Sequence, residues 1–349
     1  MFKKKINIHP TIKFKKYFPK VKKNLSINPS AIIIGNTVVE EDTKIFDNVV
    51  LRGDGEKIHI GKNCTFNKRC TVHVAADILG TKVGNNCYFD EYVIIHACTI
   101  GDNVLVGENS VIMDGSIIGN NSIILADTLV PPGKKFDNYS LISGSPAKLI
   151  KKIDQDFINN YNKLKIKARI NHSAYIHKSN LNFKDINLKG KNIFLSSDIS
   201  CNCKITAYKN SSIWYSVVLY SPNKNGKIDI GEGSNIQDNS IVNTNGEKIK
   251  IGKRVTIGHN VIINGKIVIE DDAVIGMGSI LEENCFINKG AFIGANSYVK
   301  KNTVVPINQI YAGKPAKFFR NVTSKEKNFF SLGQKVYEKL TKEYLKINY

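Results

Sequence analysis

From Ile251 to Val305 an aliphatic residue stands at every sixth position: Ile251, Ile257, Ile263, Ile269, Ile275, Leu281, Ile287, Ile293, Val299, Val305. An amphipathic helix repeats its apolar positions at spacings of three and four, and a half-buried strand at two. Neither yields a strict period of six. A coil with three flat sides does, because each six-residue side sends one aliphatic side chain toward the axis. Glycine often follows that residue, as in Ile251-Gly252, Ile257-Gly258, Ile275-Gly276 and Ile293-Gly294. A corner tolerates it well, since a Cβ would hinder the turn. The chain is therefore expected to be mainly β, a solenoid of stacked coils forming a parallel β-helix.

The pattern occurs twice. Ile100, Val106, Ile112, Ile118, Ile124 and Val130 keep the same spacing, and Val83, Phe89 and Ile95 form a run displaced by one residue, so a coil near His96 is one residue short. The two regions also match in sequence: Asp47-Asn48-Val49-Val50-Leu51 resembles Tyr215-Ser216-Val217-Val218-Leu219, and Gly144-Ser145-Pro146-Ala147-Lys148 resembles Gly313-Lys314-Pro315-Ala316-Lys317. We read a tandem duplication: a basic N-terminal arm over 1–29, a first β-helix domain over 30–170 and a second over 171–349. Each coil stack ends in a predicted helix. Phe157, Ile158, Tyr161 and Leu164 define one behind an Asp154 cap. The other follows the capping box Thr323-Ser324-Lys325-Glu326, with Phe329, Leu332, Val336, Tyr337, Leu340 and Tyr344 as its apolar stripe. The linker is expected near Lys165 to His172.

Two domains of ordinary size fit within 349 residues. No run of 18 apolar residues exists, so no membrane span is expected. The net charge of +20 comes almost wholly from lysine, with only Arg52, Arg69, Arg169, Arg254 and Arg320 as arginines. That is a poor supply for bidentate phosphate or base contacts, and nucleic acid is not an expected partner. Abundant Lys, Asn and Ile together suggest an AT-biased genome. Seven cysteines, without a Cys-x-x-Cys pair, read as free and mostly buried thiols of an intracellular, reducing compartment. Nine lysines and no acid between Lys3 and Lys23 admit a mitochondrial presequence or a basic arm.

Leu51-Arg52-Gly53-Asp54, Val72-His73-Val74 and Ile95-His96-Ala97-Cys98-Thr99-Ile100-Gly101, with Gly-Ser-Pro near the coil's end and a terminal helix, occur in an order that resembles the γ-class carbonic anhydrases. The resemblance covers about residues 30–165 and again about 190–345. It implies left-handed β-helices assembled as trimers, with three histidines binding zinc or iron at each subunit interface. In that family the first and third histidines come from one subunit and the second from its neighbour. The matching positions are His73, Glu91 and His96 in the first domain, and Asn243, His259 and Asn264 in the second. Neither domain is complete, yet their union is: His73, His96 and His259. Other family positions divide likewise. Arg52 and Asp54 stand against Tyr220 and Pro222, Gln237-Asp238 against Asn67-Lys68, and Tyr311 against Ile142.

The resemblance implies reversible hydration of carbon dioxide to bicarbonate at one composite interdomain site. Arg52, Asp54, Gln237, Asp238 and Tyr311 are its catalytic candidates, and Arg52 either anchors bicarbonate or pairs with Asp238. Glu56 is a candidate proton acceptor. A third β-helix subunit, or self-assembly into three-prism units, would complete the trimer. Two other classes stay open. One is a catalytically weak structural subunit of a larger complex, like the γ-carbonic-anhydrase arm of respiratory complex I. The other is a hexapeptide acyltransferase with His259 as its base.

Overall fold

The computed structural model describes residues 11–163, 185–223 and 225–347. The chain divides into two compact units, residues 1–169 and 170–349. Both are left-handed parallel β-helices.

In unit 1 an eight-stranded sheet runs from Ser26–Ile27 through Tyr88–Phe89 to Lys148–Lys152, and a 12-stranded sheet supplies the other sides. Two sides merge into that larger sheet because the strand Val50–Ile60 turns the corner without a break, pairing with Thr71–His73 at one end and Thr81–Val83 at the other. The six-spaced residues point inward as expected: Val83, Phe89, Ile95, Ile100, Val106 and Ile112 lie in one core and are at most 1% exposed. Each such aliphatic contributes about 1.5–3 kcal/mol by leaving water. The arm expected over 1–29 is, in its described part, the first coil. Thr11–Ile12, Lys20–Val21 and Ser26–Ile27 pair with Ile33–Ile34, Val38–Val39 and Lys44–Ile45. Short two-residue strands without a hexad glycine left no periodic signal there.

Unit 2 has three separate sheets of seven, eight and six strands. Its column from Ile251 to Val305 is at most 2% exposed throughout. Cys201 and Cys203 point into this core, and all seven cysteines are buried free thiols.

The hexad glycines keep ordinary dihedrals; their constraint is the next coil. A Cβ on Gly258 would sit 2.7 Å from the backbone nitrogen of Met277. Outside glycine, the left-handed corners fall mostly to asparagine, which tolerates that region. Stacked corner asparagines also bond to one another: Asn63 donates to Asn86, Asn86 to Asn103 and Asn103 to Asn121, over 2.9–3.1 Å. Asparagine abundance therefore has a structural use beyond base composition.

Helix α1 (Gln155–Lys163) closes unit 1, capped where the Phe157 amide donates to Asp154 at 2.8 Å, with Ile158 packed on Ile123 and Leu141. Leu164 and the expected linker lie outside the described residues. Helix α2 (Ser324–Ile347) closes unit 2. Its capping box forms as read: the Thr323 amide donates to Glu326 at 2.9 Å, and the Glu326 amide to the Thr323 hydroxyl at 3.3 Å. The expected stripe holds in the second half of the helix, where Tyr337, Leu340 and Tyr344 are buried, with Tyr344 and Tyr337 against Trp214. It differs in the first half, where Phe330 and Gln334 face the prism instead. Phe329 and Leu332 stand in solvent.

Candidate metal centre

In unit 1, Arg52, His73 and His96 are in register on adjacent parallel strands. Stacking at a strand spacing of about 4.8 Å brings the two imidazoles together. His73 Nδ1 lies 3.3 Å from His96 Nε2. Both histidines end a flat side where the coil is irregular. After His73 the chain makes an excursion over Val74–Gly80, closed by the Thr81 hydroxyl donating to the His73 carbonyl at 2.6 Å. After His96 the short side turns at Ala97, with φ of 47°. Gly55 follows the Arg-Gly-Asp, where a Cβ would lie 2.0 Å from the Ala76 carbonyl oxygen, so no other residue fits.

A carboxylate holds the far nitrogen of each ring. His73 Nε2 is 3.0 Å from Asp54 Oδ1, and Arg52 donates to the other oxygen of Asp54 at 2.5 Å. His96 Nδ1 is 2.6 Å from Asp114 Oδ1. Burial pushes the Asp114 carboxyl up, but the hydrogen bond and charge of His96 outweigh it and hold it below the usual range. An ionised carboxylate only accepts, so each ring donates to its aspartate and turns a lone pair toward the other ring. Two lone pairs at that distance repel unless a proton or a cation lies between them. Imidazole nitrogens about 2.0–2.1 Å from a tetrahedral zinc are roughly 3.3 Å apart, so this pair fits two of its ligands. Aspartates on the outer nitrogens are the usual support of metal-ligating histidines.

In unit 2, Tyr220, Asn243 and Asn264 occupy the equivalent ladder, in register with one another. The corner column confirms the other equivalences. The amides of Asn239 and Asn260 bond to the carbonyls of Tyr215 and Asp238, as those of Arg69 and Tyr92 do to Asp47 and Lys68. His259 thus stands where unit 1 has Glu91, and Asp238 where it has Lys68. His259 Nδ1 lies 3.1 Å from Asp238 Oδ2, and Asp238 Oδ1 accepts from the Tyr215 amide at 3.0 Å. His259 thus has an aspartate at ion-pair distance, whereas each ring of the unit 1 pair is hydrogen-bonded to its own. Gln237 is buried beside Asp238, and its Nε2 donates to Asn235 at 3.1 Å.

Two further candidates have different surroundings. Tyr311 is in register with Ile293 at the end of the inward column, three coils beyond Ile257, or roughly 14 Å at the spacing of parallel strands. Glu56 is exposed on the strand Val50–Ile60. The sequence reading missed Asp114. Its signal is a spacing of 18 residues from His96, one full coil.

Family models for the bacterial transferase hexapeptide (six repeats) match residues 80–113 and 97–132, and models for the hexapeptide repeat of succinyl-transferase match 57–88 and 248–283. The chain is 36% identical over 145 residues to gamma carbonic anhydrase 2, mitochondrial, of Arabidopsis thaliana, covering 40% of this chain and 52% of that protein. It spans only about half the length of that relative. It is 34% identical over 149 residues to protein YrdA of Escherichia coli, covering 41% of this chain and 81% of YrdA. The crystal structure of a putative acetyltransferase from Desulfovibrio desulfuricans superposes with a TM-score of 0.52, covering 93% of this chain and 79% of that one at 11% identity, a likeness of fold alone. The chain belongs to the γ-carbonic-anhydrase-like family of hexapeptide-repeat proteins.

Proposed function

We propose that the protein hydrates carbon dioxide reversibly at one metal site per chain, with His73 and His96 from unit 1 and His259 from unit 2 as ligands. The observation that carries this reading is the facing nitrogen pair of His73 and His96, each ring backed by an aspartate. His259, backed by Asp238, has the donor type and the support that a third ligand needs. The Arabidopsis relative, named for this activity and for the mitochondrion, supports both the reaction and a mitochondrial location.

A zinc or iron ion held by three imidazoles would supply Lewis acidity, bringing the pKa of water to about 7 in the zinc case. The chain's own residues do the rest. Asp54 and Asp114 fix ring tautomer and orientation, and Asp238 stands at ion-pair distance from the third ring. Arg52 holds Asp54 and gives the site a buried positive charge suited to bicarbonate. We assign to the Gln237 amide the orienting of water or product.

A scaffold role has its own support. Glu91, Asn243 and Asn264 occupy ligand positions without completing a set, so interfaces built on them would be non-catalytic. We propose that a third prism, from another subunit or another copy, meets those positions. Carbon dioxide hydration followed by stopped flow, on protein loaded with zinc or iron and again after chelation, tests the reaction. Acceleration that disappears with the metal is expected. Fully loaded protein that leaves the hydration rate unchanged would reduce the chain to a scaffold.

A further inference from the structure

Phe329 and Leu332, which the sequence pattern assigns to the buried face of α2, are 69% and 60% exposed. They are not isolated. Val304 and Ile307 on the last coil and Phe318 and Phe319 on the closing strand are each more than half exposed. These segments are tied together. Arg320 of the closing strand donates to both oxygens of Glu326 on α2, at 2.8 and 2.6 Å. Ile307, Lys289, Lys327 and Phe330 line one cavity of about 360 Å³ between the last coils and α2. Phe330 anchors that wall, its ring centroid 4.8 Å from that of Phe292.

Apart from the Arg254–Asp272 pair on the cavity wall, the charge along the segments that carry this apolar group is almost wholly of one sign. Residues 300–335 contain eight basic side chains against one acid, Glu326, which Arg320 already engages. Lys314, Lys317, Lys325 and Lys327 are all exposed. Single exposed apolar residues need no explanation, but a cluster of large ones marks an interaction surface. A protein partner would ordinarily be met by a mixed-sign rim. Aromatic and aliphatic side chains ringed by lysine suit the boundary of an anionic bilayer, where rings enter the headgroup layer and lysine stems reach the phosphates. No described helix is long and apolar enough to cross a membrane, so the contact is peripheral.

We propose that this end of unit 2 docks on an anionic phospholipid surface. Phe318, Phe319, Phe329 and Leu332 enter the headgroup boundary, while Lys314, Lys317, Lys325 and Lys327 meet phosphate. The docking surface is independent of the metal site. Flotation of the full chain with vesicles of phosphatidylcholine, alone or mixed with phosphatidylglycerol, tests it. Binding to the mixed vesicles alone is expected, weakening as salt rises. Each of Lys314→Gln, Lys317→Gln and Lys327→Gln should lower partitioning about fivefold. The triple variant Phe318→Ser/Phe319→Ser/Phe329→Ser should lower it at least tenfold with an unchanged thermal melt, because these side chains are exposed. No binding to mixed vesicles, or equal binding to neutral ones, overturns the proposal. So does concentration-dependent self-association that the same substitutions abolish, which would make the occupant a second copy of the chain.

Discussion

Asp114 and Asp54 each hold one histidine of the unit 1 pair by its outer nitrogen, but they differ in surroundings. Asp54 is buried and shared with Arg52, whereas the Asp114 side chain is 38% exposed. Changing Asp54 therefore leaves a buried guanidinium without its carboxylate and disturbs folding, while changing Asp114 isolates the support of the ring. Asp114→Asn should weaken metal binding about 10- to 100-fold in competition with a chelator, with unfolding of the metal-free protein unchanged. Equal metal affinity in wild type and variant would remove Asp114 from the site. At the core, Ile275 is fully buried in the unit 2 column. Ile275→Val should cost about 0.5–1.5 kcal/mol, and Ile275→Asp should abolish folding of that unit by placing an unpaired charge in it. A soluble Ile275→Asp protein with a native circular dichroism spectrum would contradict the inward register.

At the scale of elements, α2 is fastened at its start by Glu326, which takes the Arg320 guanidinium and the Thr323 amide and hydroxyl. The Arg320 hydrogen bond leads in holding the Glu326 carboxyl down to about 2. Its folded pKa thus lies below the unfolded value of about 4.3. The stabilisation is present above that unfolded value and is lost as pH falls toward 2. Partial exposure screens it to about 1 kcal/mol. Glu326→Gln should lower the urea midpoint at neutral pH and leave it unchanged near pH 2. A deficit that persists at pH 2 would assign the effect to lost packing. The capping box and the hexads were legible because each is a local pattern. The first turns of α2's buried face were not, because two helical stripes compete there: Phe329 with Leu332, and Phe330 with Gln334. The fit of Phe330 against Phe292, remote in sequence, decides between them. Residues 11–29 and Asp114 escaped for a related reason, since their partners lie a full coil away.

In the whole molecule, duplication explains both the fold and the division of ligands. The equivalence of Glu91 with His259 follows from the corner hydrogen bonds, and that of His73 with Asn243 from the ladder alignment. On the proposed reading, two copies that drifted apart have kept complementary parts of one ligand set. The family was legible from short motifs such as Arg52-Gly53-Asp54 because those residues serve both the corner and the site. The central claim is that the two units together hold a single metal. Metal content of the purified chain measures this most directly. Wild type should carry one zinc or iron, lost in each of His73→Ala, His96→Ala and His259→Ala and retained in Glu91→Ala, Asn243→Ala and Asn264→Ala. Metal retained by His259→Ala and lost from Glu91→Ala would contradict the composite site and place the metal within assemblies of unit 1.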